Sequence, residues 1–299
     1  MSVGNDEALA RYKQYIQARG MSRYTVQSKT SVLGLLATFC GAAGVELLDA
    51  SPHLIRDWLT SLFEVRARDT VKDYFKLSRV FYKWAISEGL AAANPFDGLE
   101  TPTAPLKPIE PYSPAEMRAL LAASDAYERM FILLLVSTGL RGSELTSLRV
   151  DDVDWESGEI RVWNGKGNKE RIIVVRPDAL AALHAYVEEK KRRHGYIWPA
   201  HGRLGYMGES TLYHVIRRLG QRVGVRHCTI HRFRNTFACR FLESGASVGD
   251  LAIVLGHSNI TMSLHYASYT ATGRALAAQR RFNGLNHDEG DDNELRSAV

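Results

Sequence analysis

The sequence predicts a mainly α-helical protein with one small antiparallel β-sheet, split into two domains. Three observations carry this reading. Six of the nine prolines lie between Pro95 and Pro114, in N-P-F-D-G-L-E-T-P-T-A-P-L-K-P-I-E-P-Y-S-P, a spacing that forbids helix and central strand and favours an extended connector of roughly 3 Å per residue. Four helical patterns precede it. Helical patterns also dominate the chain beyond Pro114, interrupted by one pair of short alternating segments. The expected boundaries are a helical domain over 1–94, a linker over 95–112, a second domain over 113–284 and an acidic, disordered tail over 285–299.

The first helical pattern covers about Asp6 to Arg19 and stops at Gly20; the second runs from Ser22 as N-cap to Gly41. Ser51 caps the third, with Pro52 at its first helical position, and the fourth follows Asp69 as cap as far as Gly89. In that fourth helix Lys72, Lys76, Arg79 and Lys83 fall within about 60° of one face, opposite Tyr74, Leu77, Phe81 and Trp84. A solvated face is the plain explanation of such a stripe; a face that tracks phosphates is the functional one. After the linker, Ser113 to Glu116 forms a capping box, and an apolar helix runs from about Tyr127 to Ser137. Gly139 breaks it and Arg141 begins a short helix. Glu159–Trp163 and Arg171–Val175 read as two strands, with Lys166 at the tip of the Asn-Gly and Gly-Asn turn between them. Helices are then expected over 177–192, 210–223, 231–243, 248–255, 260–267 and 270–282.

At 299 residues, with 45% hydrophobic and 24% charged residues, the chain can bury two ordinary cores. Its longest purely apolar run, Met130 to Val136, is far below the ~20 residues of a membrane span, so no membrane association is expected. Asp6 and Glu7 stand where an export signal would carry positive charge, and Cys40, Cys228 and Cys239 cannot all pair. A cytoplasmic protein with free thiols is the expectation. The net charge is +5 and the pI about 9.1, with the excess in the middle of the chain: residues 104–284 hold 25 Lys and Arg against 17 Asp and Glu. That balance suits a polyanionic partner without requiring one.

Several polar residues each have an ordinary reading. Arg141 could be a surface residue at a helix start, Lys166 a turn lysine, His231 and Arg234 a pair on one helix face, His257 a satisfied core histidine and Tyr266 one of 13 tyrosines. Together they form an ordered set: Arg141 in T-G-L-R-G-S-E-L, Lys166 in N-G-K-G-N-K-E-R, His231 and Arg234 in H-R-F-R, His257 in L-G-H-S, and Tyr266 nine positions on. This set resembles the tyrosine recombinase (phage integrase) family, over nearly the whole chain and closest to the compact Xer-type members. Four positions depart from the usual pattern: Phe233 for leucine, Asn235 for a frequent histidine, Ser263 for threonine and Ser268 for histidine. They are expected to be packing or supporting positions.

The resemblance implies a four-helix core-binding domain, a mixed α/β catalytic domain and site-specific exchange of DNA strands without ATP, metal or other cofactor. Two guanidiniums, Arg141 and Arg234, suit the non-bridging oxygens of a phosphodiester under attack, and losing one such donor costs on the order of 3 kcal/mol. A lysine carries the charge but lacks the planar fork. A phenol is only about one part in a thousand ionised at pH 7, so Tyr266 as nucleophile needs a base, for which His231 is the candidate. The family implies Lys166 as general acid toward the 5'-oxygen, with His257 on the phosphate. It also implies a homotetramer holding two duplexes through a Holliday junction, from a free monomer or weak oligomer. Accessory DNA-bending or directionality factors are compatible partners, the bound protein would be nucleoid-associated, and the start of the four-helix domain near Met1 leaves no room for an arm-binding domain.

Four rivals remain at this level. Cys228, His231, Cys239, His257 and His265 lie close enough in sequence to raise a zinc site, although no second close ligand pair has zinc spacing. A protein of this fold could bind DNA without strand exchange, or relax supercoils as a type IB topoisomerase does. Tyr269 is a rival nucleophile.

Overall fold

The computed structural model describes residues 4–105, 108–163, 170–201 and 205–283. The chain divides into two compact units between residues 107 and 108. Lys166 and the acidic tail lie outside the described residues.

The first unit holds α1 (Asn5–Ala18), α2 (Arg23–Ala42), α3 (Pro52–Val65) and α4 (Arg68–Ser87). Ser22 and Ser51 cap α2 and α3 as expected, each hydroxyl accepting from a backbone N–H three residues on. Asp69 is not the cap of α4. That helix starts one residue before it, behind Ala67, and Asp69 lies in its first turn, where a carboxylate complements the positive helix end. The amphipathic faces close on Tyr12, Leu33, Leu36, Trp58, Phe75, Phe81 and Tyr82, with Tyr12 edge-on to Phe81. Phe96, inside the proline-rich stretch, is fully buried edge-on to Phe75. Asn94 turns the chain there, its amide donating to the Arg79 carbonyl at 3.2 Å while its oxygen accepts from the Phe96 N–H at 3.1 Å.

The second unit is built on α6 (Ala126–Thr138), preceded by α5 (Pro114–Ala123) and followed by the short α7 (Gly142–Thr146). Helix α6 buries Met130, Phe131, Ile132, Leu134, Leu135 and Val136, so apolar residues surround its axis; a helix of that kind has to be central. It packs against α8 (Pro177–Glu189), α9 (Glu209–Arg222), α10 (Ile230–Glu243) and the hairpin. The hairpin is an antiparallel pair, β1 (Glu159–Trp163) and β2 (Glu170–Val174), in which Ile160 faces Ile173 and Val162 faces Arg171. A smaller core of Ala238, Cys239, Leu242, Leu251, Leu255 and Tyr266 joins α10 to α11 (Val248–Leu255) and α12 (Thr261–Phe282).

Helix α12 is continuous where two helices were expected. No glycine or proline interrupts 267–270. Ser268 and Thr270 return their hydroxyls to carbonyls of the preceding turn, which keeps both within the helix. The second end of the proline-rich stretch is fastened to α10. The Tyr112 N–H donates to Thr236 Oγ1 at 2.8 Å, and the Arg232 guanidinium lies 4.2 Å from the centre of the Tyr112 ring while bonding Glu116 and the Glu110 carbonyl.

Helices α6 and α11 both end at a glycine in the left-handed conformation, Gly139 and Gly256, each at φ 63°. A Cβ at Gly139 would lie 2.5 Å from the Phe237 ring and 2.8 Å from Leu255. Gly139→Ala therefore adds backbone strain to overpacking, and urea denaturation should show a loss of roughly 2 to 4 kcal/mol; an unchanged midpoint would contradict this packing.

Candidate active site

Arg141 occupies the N-cap position of α7, two residues beyond the Gly139 break. Its backbone N–H and its Nη1 both donate to Glu144, at 2.9 and 2.8 Å, and its Nη2 reaches the Gly256 carbonyl at 3.4 Å. The Arg141 side chain as a whole keeps 36% of its surface exposed, so it is open to solvent. Glu144 itself is buried and held in a fork by Arg171, whose Nη1 and Nη2 donate at 3.0 and 2.8 Å. Burial alone would raise the Glu144 pKa. The hydrogen bonds and charges of Arg171 and Arg141 outweigh it and hold the carboxyl at about 2. Arg171 also donates through Nε to the Val254 carbonyl at 2.8 Å.

Arg234 is 4% exposed. Its Nη1 donates to the Gly139 carbonyl at 2.6 Å, and its Nη2 to the Leu255 carbonyl at 2.9 Å and to His257 Nε2 at 3.0 Å. A guanidinium only donates, so Nε2 accepts and the proton of the neutral imidazole sits on Nδ1, facing Ser263 Oγ at 2.7 Å. Desolvation, then the charges of Arg234, Arg141 and Arg171, push His257 down to about 4, which keeps this neutral tautomer at physiological pH.

Tyr266 lies on α12 with its ring parallel to that of His257, centroids 6.4 Å apart, and it is 6% exposed. Its hydroxyl donates to Asn235 Oδ1 at 2.9 Å. Burial raises its pKa above the usual phenol value, while Arg234 and Arg141 pull in the other direction, so the resting group is a phenol. His231 sits at the exposed start of α10. Desolvation and the fields of Arg234 and Arg141 lower its pKa, leaving a neutral imidazole that can accept a proton.

The structure thus brings Arg141, Arg234, His257 and Tyr266 together within one chain, with His231 in the field of both arginines. Lys166 belongs to the connection between Trp163 and Glu170, outside the described residues. On α4, Lys76 and Lys83 are exposed and Lys72 is half-buried, whereas Arg79 pairs with Asp97 at 3.2 Å. Tyr269 is 51% exposed. Cys228 is buried against the Tyr112 hydroxyl and Cys239 in the core between α10 and α12, and among the described residues no three His, Cys, Asp or Glu side chains gather as a metal site.

Two residues of the site were not assigned to it from the sequence: Glu144 and Arg171. Asn235 and Ser263, departures from the family pattern expected to be packing or supporting positions, are supporting ones: each makes a direct hydrogen bond to a member of the set. Arg171 had a readable signal, since it shares a strand face with the buried Ile173 two residues on. Phe233 is a packing position, buried against the Tyr112 ring.

Glu144 is ionised in the folded protein at pH values where it would be protonated unfolded. The stability it contributes is complete above its ordinary value near 4.5 and is lost as the pH falls toward about 2. Glu144→Gln should cost about 3 kcal/mol at neutral pH, with the two proteins converging as melting is followed down through that window. A gap that stays constant with pH would refute the ion pair.

The sequence matches the phage integrase family over residues 112–272. Tyrosine recombinase XerD of Rhizobium meliloti is 30% identical over 268 residues, covering 83% of this chain and 86% of the relative. Tyrosine recombinase XerA of Pyrococcus horikoshii is 24% identical over 282 residues, covering 90% and 91%. Among solved structures, the Tn1549 transposon integrase in complex with a circular intermediate DNA superposes with a TM-score of 0.73 at 20% identity, over 94% of this chain and 100% of that one. A lambda integrase dimer bound to a COC' core site gives 0.72 at 19%, over 99% and 81%. With more than half of its length matching the family, on a fold shared with these enzymes, the chain belongs to the phage integrase family.

Proposed function

We propose that this chain is a site-specific DNA recombinase that cuts and rejoins strands through a phosphotyrosyl link at Tyr266. The convergence of Arg141, Arg234, His257 and Tyr266 in one chain carries the reading. Relatives named as tyrosine recombinases, and integrases of the same fold solved with DNA, support it.

The phosphate sits against Arg141, with Arg234 Nη2 turning from His257 toward a second non-bridging oxygen. As the bond from the Tyr266 oxygen to phosphorus forms, the bond to the 5'-oxygen breaks. The phenolic proton passes to His231, and the departing oxygen takes a proton from Lys166, a role assigned from the family resemblance. An anion beside His257 raises its pKa, so the imidazole, once released by Arg234, can protonate and donate through Nε2. The products are a 3'-phosphotyrosyl ester and a free 5'-hydroxyl. The ester conserves the bond energy, and a second 5'-hydroxyl reverses the step onto a new partner.

The α4 lysines Lys72, Lys76 and Lys83, together with Arg79, are proposed to track DNA phosphates. The tetramer on two duplexes, the Holliday junction and any accessory factors belong to the same reading.

Nicked suicide duplexes drawn from a random library provide the test, since they trap protein on the DNA it cleaves. Wild type and Tyr269→Phe should form the adduct and Tyr266→Phe should form none, while Arg234→Lys should slow the adduct about a hundredfold. No wild-type adduct on any duplex leaves a DNA-binding protein without strand exchange. An adduct with supercoil relaxation but no product joining two duplexes leaves a topoisomerase.

A further inference from the structure

Among the described residues, the hydroxyl of Tyr266 bonds to none of the cationic groups around it. Arg234 spends its two Nη atoms on Gly139, Leu255 and His257, and Arg141 spends its own on Glu144 and Gly256. The phenolic O–H donates instead to Asn235 Oδ1, from a half-buried amide on α10 directly after Arg234. The backbone that carries the ring is also fixed nearby: Thr270 bonds the Tyr266 carbonyl at 3.1 Å, and Ser263, one turn earlier, holds His257.

The chemistry of the acceptor decides what this bond can do. A carboxamide oxygen accepts a hydrogen bond but does not take up the proton at any pH at which proteins fold. A phenol bonded to it keeps its O–H, and its one donor is occupied. Attack on phosphorus needs that proton passed to a base, which Asn235 cannot be. The bond therefore belongs to a state that precedes attack.

We propose that Asn235 is a positioning residue that clamps the Tyr266 hydroxyl in a protonated resting state, and that leaving this amide is a required step before the phenol reaches phosphorus. The proposal rests on the reading of Tyr266 as the nucleophile. It gives a role to the asparagine at position 235, where the family pattern frequently has histidine.

Acetylation of Tyr266 by N-acetylimidazole in the full-length protein without DNA tests the clamp. Peptide mass spectrometry gives its rate relative to that of Tyr24, which is 84% exposed and serves as the internal standard. Asn235→Ala removes the acceptor and should speed Tyr266 acetylation about fivefold, the equivalent of about 1 kcal/mol. Asn235→Asp keeps the acceptor and makes it anionic, so the bond tightens and acetylation should be slower than in wild type. Opposite signs from two substitutions of one residue are not what a merely structural position gives. Changes of the same sign, or no change, overturn the clamp. If alanine prevents folding, the aspartate variant decides alone: slower acetylation supports the clamp, and equal or faster acetylation overturns it. The first burst of covalent adduct on a suicide duplex should rise with Asn235→Ala by a similar factor; a burst that falls would make Asn235 a helper of attack and also overturn the proposal. Because acetylation uses no DNA, it judges the clamp separately from the recombinase reading, which stands or falls on the wild-type adduct.

Discussion

Three arginines lie side by side in this chain because two helices end where they do. Helices α6 and α11 stop at Gly139 and Gly256, both at φ 63°, so their last carbonyls turn away from the helix axes. Arg234 takes the carbonyls of Gly139 and Leu255, Arg171 that of Val254, and Arg141 that of Gly256. Cations so close together repel one another. The negative ends of two helices and the carboxylate of Glu144 are what hold them in place.

The same glycine break leads directly into His257, whose ring is fixed between Arg234 on one nitrogen and Ser263 on the other. Helix α10 supplies the opposite wall with five consecutive residues that do different work. His231 faces outward, Arg232 ties down the end of the proline-rich stretch, Phe233 fills the core, Arg234 gathers the helix ends and Asn235 holds the phenol. A helix that repeats every 3.6 residues sends such neighbours in different directions, which is how one turn serves core, connector and site. Its register cannot shift without disturbing all three.

Much of this was legible in the sequence because it is local. Caps such as Ser22, Ser51 and Ser113 act within one turn, and the apolar run of α6 needs no partner to be recognised as buried. The candidate catalytic set was legible through the resemblance, which orders residues far apart in the chain. The supporting bonds were not. Arg171 meets Glu144 across 27 positions and Tyr266 meets Asn235 across 31, with no spacing rule to announce either. The division of α12 into two helices failed for a local reason: the hydroxyls of Ser268 and Thr270 return to carbonyls of the same helix, which runs through 267–270 without a break.

At rest, with both histidines neutral, the cluster of Arg141, Arg171, Arg234 and Glu144 carries three positive charges and one negative. A phosphodiester has one negative charge at rest and approaches two as a phenolate adds to phosphorus. On the proposed mechanism this resting surplus of two, joined by the proton that His231 takes up, favours the five-coordinate species over the intact strand. In that reading, much of the preference for the moment of reaction over simple binding is already present in the charge count of the fold.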